Sequence, residues 1–285
     1  MTPNQQYFFL EVRNLTIWLM ALSAVFIPLE RICAVHPHRG MRRGMLQDAV
    51  YYYLSSIVPL TVLSVLNALL ITVLRRYMPG IVGEMIGELP LPAKAILAFV
   101  LGETGYYWAH RWSHEVPFLW RFHAVHHSAE DIDFLVNTRA HPIDMIFSRF
   151  CGIALQALFG LSLPGKLGAN QVIAIVTVIV GTTWGFFVHS NIKVKFGFLE
   201  KLVSTPHFHH WHHVKSGPIN RNYASTLPWL DIAFGSFYLP DTWPSEYGIQ
   251  EPIAPGLLRQ LADPIIGAGP GTGPMPQGET DTVSS

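Results

Sequence analysis

The chain has 285 residues, 50% of them hydrophobic and only 13% charged, far less charge than an ordinary soluble surface of this size carries. Nineteen basic residues balance nineteen acidic ones, which removes both a basic face for nucleic acid and an acidic solvating tail. Cys33 and Cys151 lie far apart in apolar runs; they form no disulfide framework and no thiolate metal motif, and read as small buried hydrophobes.

In chain order, the first element is an apolar run from Leu15 to Leu29 with its flanks. A basic patch follows it and no small-residue cleavage site does, so it reads as a membrane span and not a removable signal. Tyr51 to Leu74 is a second run long enough to cross a bilayer. Leu91 to Ala109 is a third, interrupted by Lys94 and Glu103, and Met145 to Leu163 and Val172 to Val188 are the fourth and fifth. The breaker-rich stretch PGKLGANQ between the last two predicts a helical hairpin. Arg31, Arg39, Arg42 and Arg43 crowd the segment after the first run, which places it in the cytoplasm. Counting onward brings the third run back to that side at His110 and the hairpin back at His189. A four-span layout, with one segment lying in the interface, keeps the same ends together. The fold class is all-α: an integral-membrane helical bundle with a cytoplasmic histidine-rich cap. It divides into N-terminal transmembrane helices over 1–90, a catalytic region over 91–250 and a disordered tail over 251–285, where GAGPGTGPMPQGETDTVSS cannot bury a core.

The histidines are patterned. His110 and His114 are spaced i, i+4, so on a helix they share one face. His123, His126 and His127 follow with HxxHH spacing, and His209, His212 and His213 repeat it in TPHFHHWHH. His189 closes the fifth apolar run. Neutral imidazole is the commonest side-chain metal ligand and suits zinc, copper, iron and nickel; the number of histidines points to two metal ions. The bland alternatives are weaker. A purification tag would be terminal, and a proton switch would crowd mutually repelling cations. Pro206 opens a helix, on which His207 and His210 are turned away from the other three, either supporting them or lying at the surface. His141 precedes a proline and is therefore extended, as a ligand or as lining. His36 and His38, beside Pro37, read as loop residues.

These motifs resemble the fatty acid hydroxylase/sterol desaturase superfamily of integral-membrane di-iron oxygenases. The HxxxH, HxxHH and HxxHH boxes are matched by His110/His114, by His123/His126/His127 and by His209/His212/His213, and the histidine closing the last span by His189. WRFHAVHHSAED, STPHFHHWHH and NRNYASTLPWLDIAFGSFY are most similar to the alkylglycerol monooxygenase-like branch. Glu103 stands where many relatives have aspartate. The resemblance covers about residues 95 to 240. It implies hydroxylation or desaturation of a lipid, sterol, fatty-acyl or related, with two iron ions bound by the nine histidines. It also implies O2 and a separate electron donor, since the sequence has neither a dinucleotide fingerprint nor a haem-attachment motif.

Glu103 and Glu130 are expected to accept the second N–H of ligating imidazoles, and Asn222 and Asp231 to fix a turn packed back on the site. Tyr106, Tyr107, Trp108, Trp112 and Trp120 are of the kind that anchors at a membrane boundary. Two competing classes remain. A zinc-dependent membrane hydrolase needs a carboxylate beside the metal, as in HExxH, and none is present. A metal transporter places its ligands near the bilayer midplane, whereas these fall at span ends.

Overall fold

The computed structural model describes residues 2–37, 40–77, 86–161 and 169–270. Among them there is no strand, only two isolated bridges, Ala34 to Ile192 and Val214 to Tyr247. The elements are α1 (Pro3–Ile32), α2 (Met45–Tyr77), α3 (Leu91–Glu115), α4 (Pro117–His127), a 3₁₀ turn over Phe134–Thr138, α5 (Pro142–Leu158), α6 (Ala169–His189), a second 3₁₀ turn over Gly197–Lys201, α7 (Pro206–His212), α8 (Trp229–Phe234) and α9 (Leu257–Ile266).

Helices α1 and α2 contain stretches, Gln5–Ile32 and Met45–Leu74, long and apolar enough to cross a membrane. At about 1.5 Å per residue each exceeds the roughly 30 Å hydrocarbon core. Their apolar side chains point outward; Met20 is 62% exposed and Leu69 60%, a surface suited to lipid. The third expected span continues without a break into the first histidine box, because α3 runs on to Glu115. The fourth and fifth correspond to α5 and α6, and most of the stretch expected to join them, at 162–168, lies outside the described residues.

Helix α5 packs along both α2 and α3, and α6 along the first 3₁₀ turn and α7. The α3–α5 contact is close because glycines face each other. A Cβ at Gly105 would lie 2.5 Å from the Cys151 carbonyl oxygen, and one at Gly152 would lie 3.0 Å from that of Gly102. Leu22, Phe26, Tyr52, Phe134, Leu135, Phe186 and Ile192 form a core that ties α1 and α2 to the first 3₁₀ turn and the end of α6. The N-terminal helices are therefore packed into the same body as the histidine-bearing region.

A buried charge network reinforces that junction. Arg42 pairs with Asp48 and, at 2.7 Å, with Asp133, while Arg139 reaches Asp48 at 3.0 Å. Glu30 accepts hydrogen bonds from the Phe134 and Asn191 backbone N–H groups.

The stretch assigned to a disordered tail contains a helix. In α9, Gln260 is buried and accepts from the Tyr51 hydroxyl at 3.1 Å. Leu257, Leu261 and Pro264 recur at helical spacing there, a pattern masked by the glycine- and proline-rich residues that follow. Residues 271–285 lie outside the described residues.

Candidate metal centre

Local sequence explains how each histidine is presented. Helix α3 carries His110 and His114 on one face, and α4, opened by Pro117, carries His123, His126 and His127. Thr205 caps α7 with its side chain on the Phe208 N–H, and Pro206 takes the first position, as the sequence predicts. The nine expected histidines come together in two buried groups. One is His110, His114, His123, His127 and His212; the other is His126, His189, His209 and His213. Within each group one ring nitrogen per residue lies within 4.8 Å of the others.

Outward hydrogen bonds fix the ring tautomers. His110 Nδ1 donates to the Tyr223 carbonyl at 2.7 Å, His212 Nδ1 to the Arg221 carbonyl at 2.8 Å and His123 Nδ1 to the Asp144 carboxylate at 3.0 Å. In the other group, His189 Nδ1 donates to the Gly185 carbonyl at 2.7 Å and His126 Nδ1 to the Arg139 carbonyl at 3.2 Å. With Nδ1 protonated, a neutral imidazole keeps a bare lone pair on Nε2.

These bare nitrogens face one another. His110 and His123 Nε2 are 3.1 Å apart, and His126 and His189 Nε2 are 3.2 Å apart. Neither atom of either pair has a proton to donate, so the contact is repulsive unless a cation lies between them. The Nε2 atoms of His114 and His212 are buried without a hydrogen-bond partner among the described residues. Two imidazoles bound at about 2.1 Å and at right angles have nitrogens about 3.0 Å apart. The donor set therefore fits a bound metal in each group. Burial first, and neighbouring histidines second, hold His126, His127, His209, His212 and His213 well below the usual imidazole range, so they are neutral at pH 7, the state a metal requires.

One short segment supports most of the five-histidine group. Asn220 Oδ1 accepts from His114 at 3.3 Å, the Arg221 carbonyl from His212 and the Tyr223 carbonyl from His110. Asn220 and Asn222 both have positive φ, 60° and 59°, a conformation asparagine tolerates better than most residues. Asn222 bonds to the Phe208 and Tyr238 backbone, and the buried Asp231 accepts from the Tyr223 and Ala224 N–H groups at 2.7 and 2.9 Å. This is the turn expected of Asn222 and Asp231.

The other candidates are placed differently. Glu103 accepts from the Thr226 N–H at 2.9 Å, so it anchors that turn and is hydrogen-bonded to no imidazole among the described residues. Glu130 is exposed and is hydrogen-bonded to no histidine among the described residues. The carboxylate that does meet an expected ligand, His123, is Asp144, also held by the Ser113 hydroxyl at 3.2 Å. It lies on a different helix from His123, and its one sequence signal is an acid in the first turn of an apolar helix.

His141 caps α5 through Nδ1 and bonds the Leu261 carbonyl through Nε2, leaving no nitrogen for a metal. His210 bonds Tyr247 and the Ser190 carbonyl, and His207 the Thr242 carbonyl; both are buried structural residues, not surface ones. His36 bonds the Pro244 carbonyl, and His38 lies outside the described residues. Trp120 packs on His114 and His127 and so lines the centre, whereas Tyr107 is buried against Tyr223 and Phe234, behind it.

Fold and site together define an all-helical protein with membrane-length helices and a cap that gathers nine histidines into two metal-sized groups. The chain belongs to the fatty acid hydroxylase family, whose model matches residues 95–236. It is 37% identical over 179 residues to the ornithine lipid hydroxylase OlsE of Rhizobium tropici, covering 62% of this chain and 51% of the relative. It is 29% identical to the alkylglycerol monooxygenase of Xenopus tropicalis, covering 62% of this chain and 42% of that protein. A very-long-chain aldehyde decarbonylase of rice, GL1-8, is 30% identical over 52% of this chain and 55% of its own length. The chain thus spans about half the length of the curated relatives it matches. No solved structure matches it.

Proposed function

We propose that the chain is a membrane-bound oxidoreductase that hydroxylates a lipid, using O2, two iron ions held by the two histidine groups, and electrons from a separate donor protein. The observation that carries this reading is the convergence of bare, buried Nε2 atoms into two groups. The relatives named as a lipid hydroxylase and a monooxygenase give the reaction class. Redox-active metal ions bound there supply the activation of O2 that attack on a C–H bond requires. One oxygen atom enters the lipid and the other leaves as water, with two electrons and two protons from the external donor.

The chain's own residues do the rest. Backbone carbonyls aim His110, His126, His189 and His212 inward, Asp144 does so for His123 and Asn220 for His114, while burial keeps His126, His127, His209, His212 and His213 neutral. Burial of the cap keeps bulk water from the ligands, and the apolar helices leading to it let a lipid approach without leaving the bilayer. The histidine cap faces the cytoplasm, from the arginines that follow the first span. Residues 91–250 form the catalytic region, with 1–90 packed against it.

Lipid mass spectrometry of cells expressing the chain tests the reading. A product heavier by one oxygen is expected, dependent on O2 and absent with His213→Ala. Turnover that continues without oxygen would contradict it.

A further inference from the structure

Arg149 is the one basic residue of α5, the fourth expected span. Its side chain is exposed. No ion pair or hydrogen bond engages its guanidinium among the described residues. The only other charge on α5 is Asp144 in its first turn, and a cation without a partner on such an apolar helix, close to a candidate metal centre, is a candidate binding residue.

Its position relative to the metal centre follows from helix register. Helices α3 and α5 run antiparallel, with Ser113 bonded to Asp144 and Gly105 against Cys151 and Gly152. Tyr106 and Arg149 therefore lie at the same level, and the two side chains are electrostatically coupled. The Tyr106 ring in turn lies 5.7 Å from that of His110. Along α5, Arg149 is five residues beyond Asp144, the support of His123, which is about 7–8 Å at 1.5 Å per residue. An unpaired cation thus stands one to two helix turns on the membrane side of the five-histidine group, beside a tyrosine that touches it.

We propose that Arg149 is the headgroup subsite for the lipid substrate, and that the substrate carries an anionic group, a carboxylate or phosphate, that the guanidinium binds. With the headgroup fixed there, the carbons presented to the metal centre are those a few bonds from the anionic group, not the distal chain. The proposal rests on the lipid-oxygenase reading and extends it to substrate class.

The test is a binding measurement that needs no turnover. The metal-loaded chain is placed in phosphatidylcholine nanodiscs, and native mass spectrometry compares N-palmitoylglycine, which has a carboxylate, with 1-palmitoylglycerol, a neutral lipid of the same chain length. The wild type is expected to bind the carboxylate at least tenfold more tightly. Arg149→Gln should erase that preference with metal content unchanged, and Arg149→Lys should restore part of it. Equal binding of the two lipids by the wild type, or a preference that survives Arg149→Gln, overturns the proposal. Nanodiscs containing phosphatidylglycerol should leave the preference intact; its loss there would assign the guanidinium to bulk lipid headgroups and also overturn the proposal. Should turnover of lipid in cells expressing the chain continue without oxygen while the preference holds, the oxygenase reading fails and the subsite stands.

Discussion

Replacing Asp231 by alanine tests whether the turn after the third histidine box governs one metal position in particular. The buried carboxylate accepts from the Tyr223 N–H, the Ala224 N–H and the Ser236 hydroxyl, at 2.7, 2.9 and 2.6 Å. Each buried donor left without a partner costs about 1–3 kcal/mol, and water entering the vacated space recovers part of this. A loss of about 3–6 kcal/mol is therefore expected, large against typical stabilities of about 5–15 kcal/mol. The consequence for metal is selective, because the Tyr223 carbonyl accepts from His110 and its neighbours support His114 and His212. In the four-histidine group, His126 and His189 lean on the Arg139 and Gly185 carbonyls, which this turn does not supply. Losing an outer partner typically weakens a metal site about 10–100-fold. Anaerobic Fe(II) titration of purified wild type and Asp231→Ala, with a parallel Tm, should show one site weakened by that factor and the other nearly unchanged. Equal weakening of both sites, or a lowered Tm with both affinities intact, would show that this turn does not govern the five-histidine position.

Stability of the metal-free protein should fall with acid. Burial pushes His210 down to about 3, below its unfolded value of about 6.5, so the unfolded chain takes up the proton first. Its contribution is complete above pH 6.5 and is lost as pH falls toward 3, by up to about 1.4 kcal/mol per pH unit; His126, His127 and His213 act in the same direction. A Tm that stays flat between pH 7 and 5 would contradict this. His207→Gln and His210→Gln should lower Tm while leaving the metal count at the wild-type value, because both rings are bonded to other groups; loss of a metal in either would make it a ligand. Gly105→Ala drives a Cβ into the Cys151 carbonyl and should cost about 1–3 kcal/mol or more, seen as a lower Tm in detergent; an unchanged Tm would mean that α3 and α5 are not in contact there.

The histidine boxes were legible because helical periodicity depends only on local spacing: His123, His126 and His127, and again His209, His212 and His213, share a face whatever the rest of the chain does. The same rule turned His207 and His210 away from the centre, although it left their burial open. The supports were not legible, because they come from other parts of the chain. Asp144 reaches His123 from a different helix, and the Tyr223 and Arg221 carbonyls reach His110 and His212 through backbone atoms that carry no side-chain signature. Sequence proximity points to Glu130 and Glu103, yet one is exposed and the other caps a turn. Composition likewise hid α9 behind the glycines and prolines that follow it. Nor could the network of Arg42, Asp48, Asp133 and Arg139 be read from a string in which Arg42 and Arg43 look alike.

Metal analysis of the purified chain bears most directly on the central claim that the nine histidines hold two metal ions. Two irons per chain in an all-nitrogen protein environment are expected, falling toward one in His127→Ala and in His213→Ala. Fewer than two in the wild type, or two retained in both variants, would contradict it.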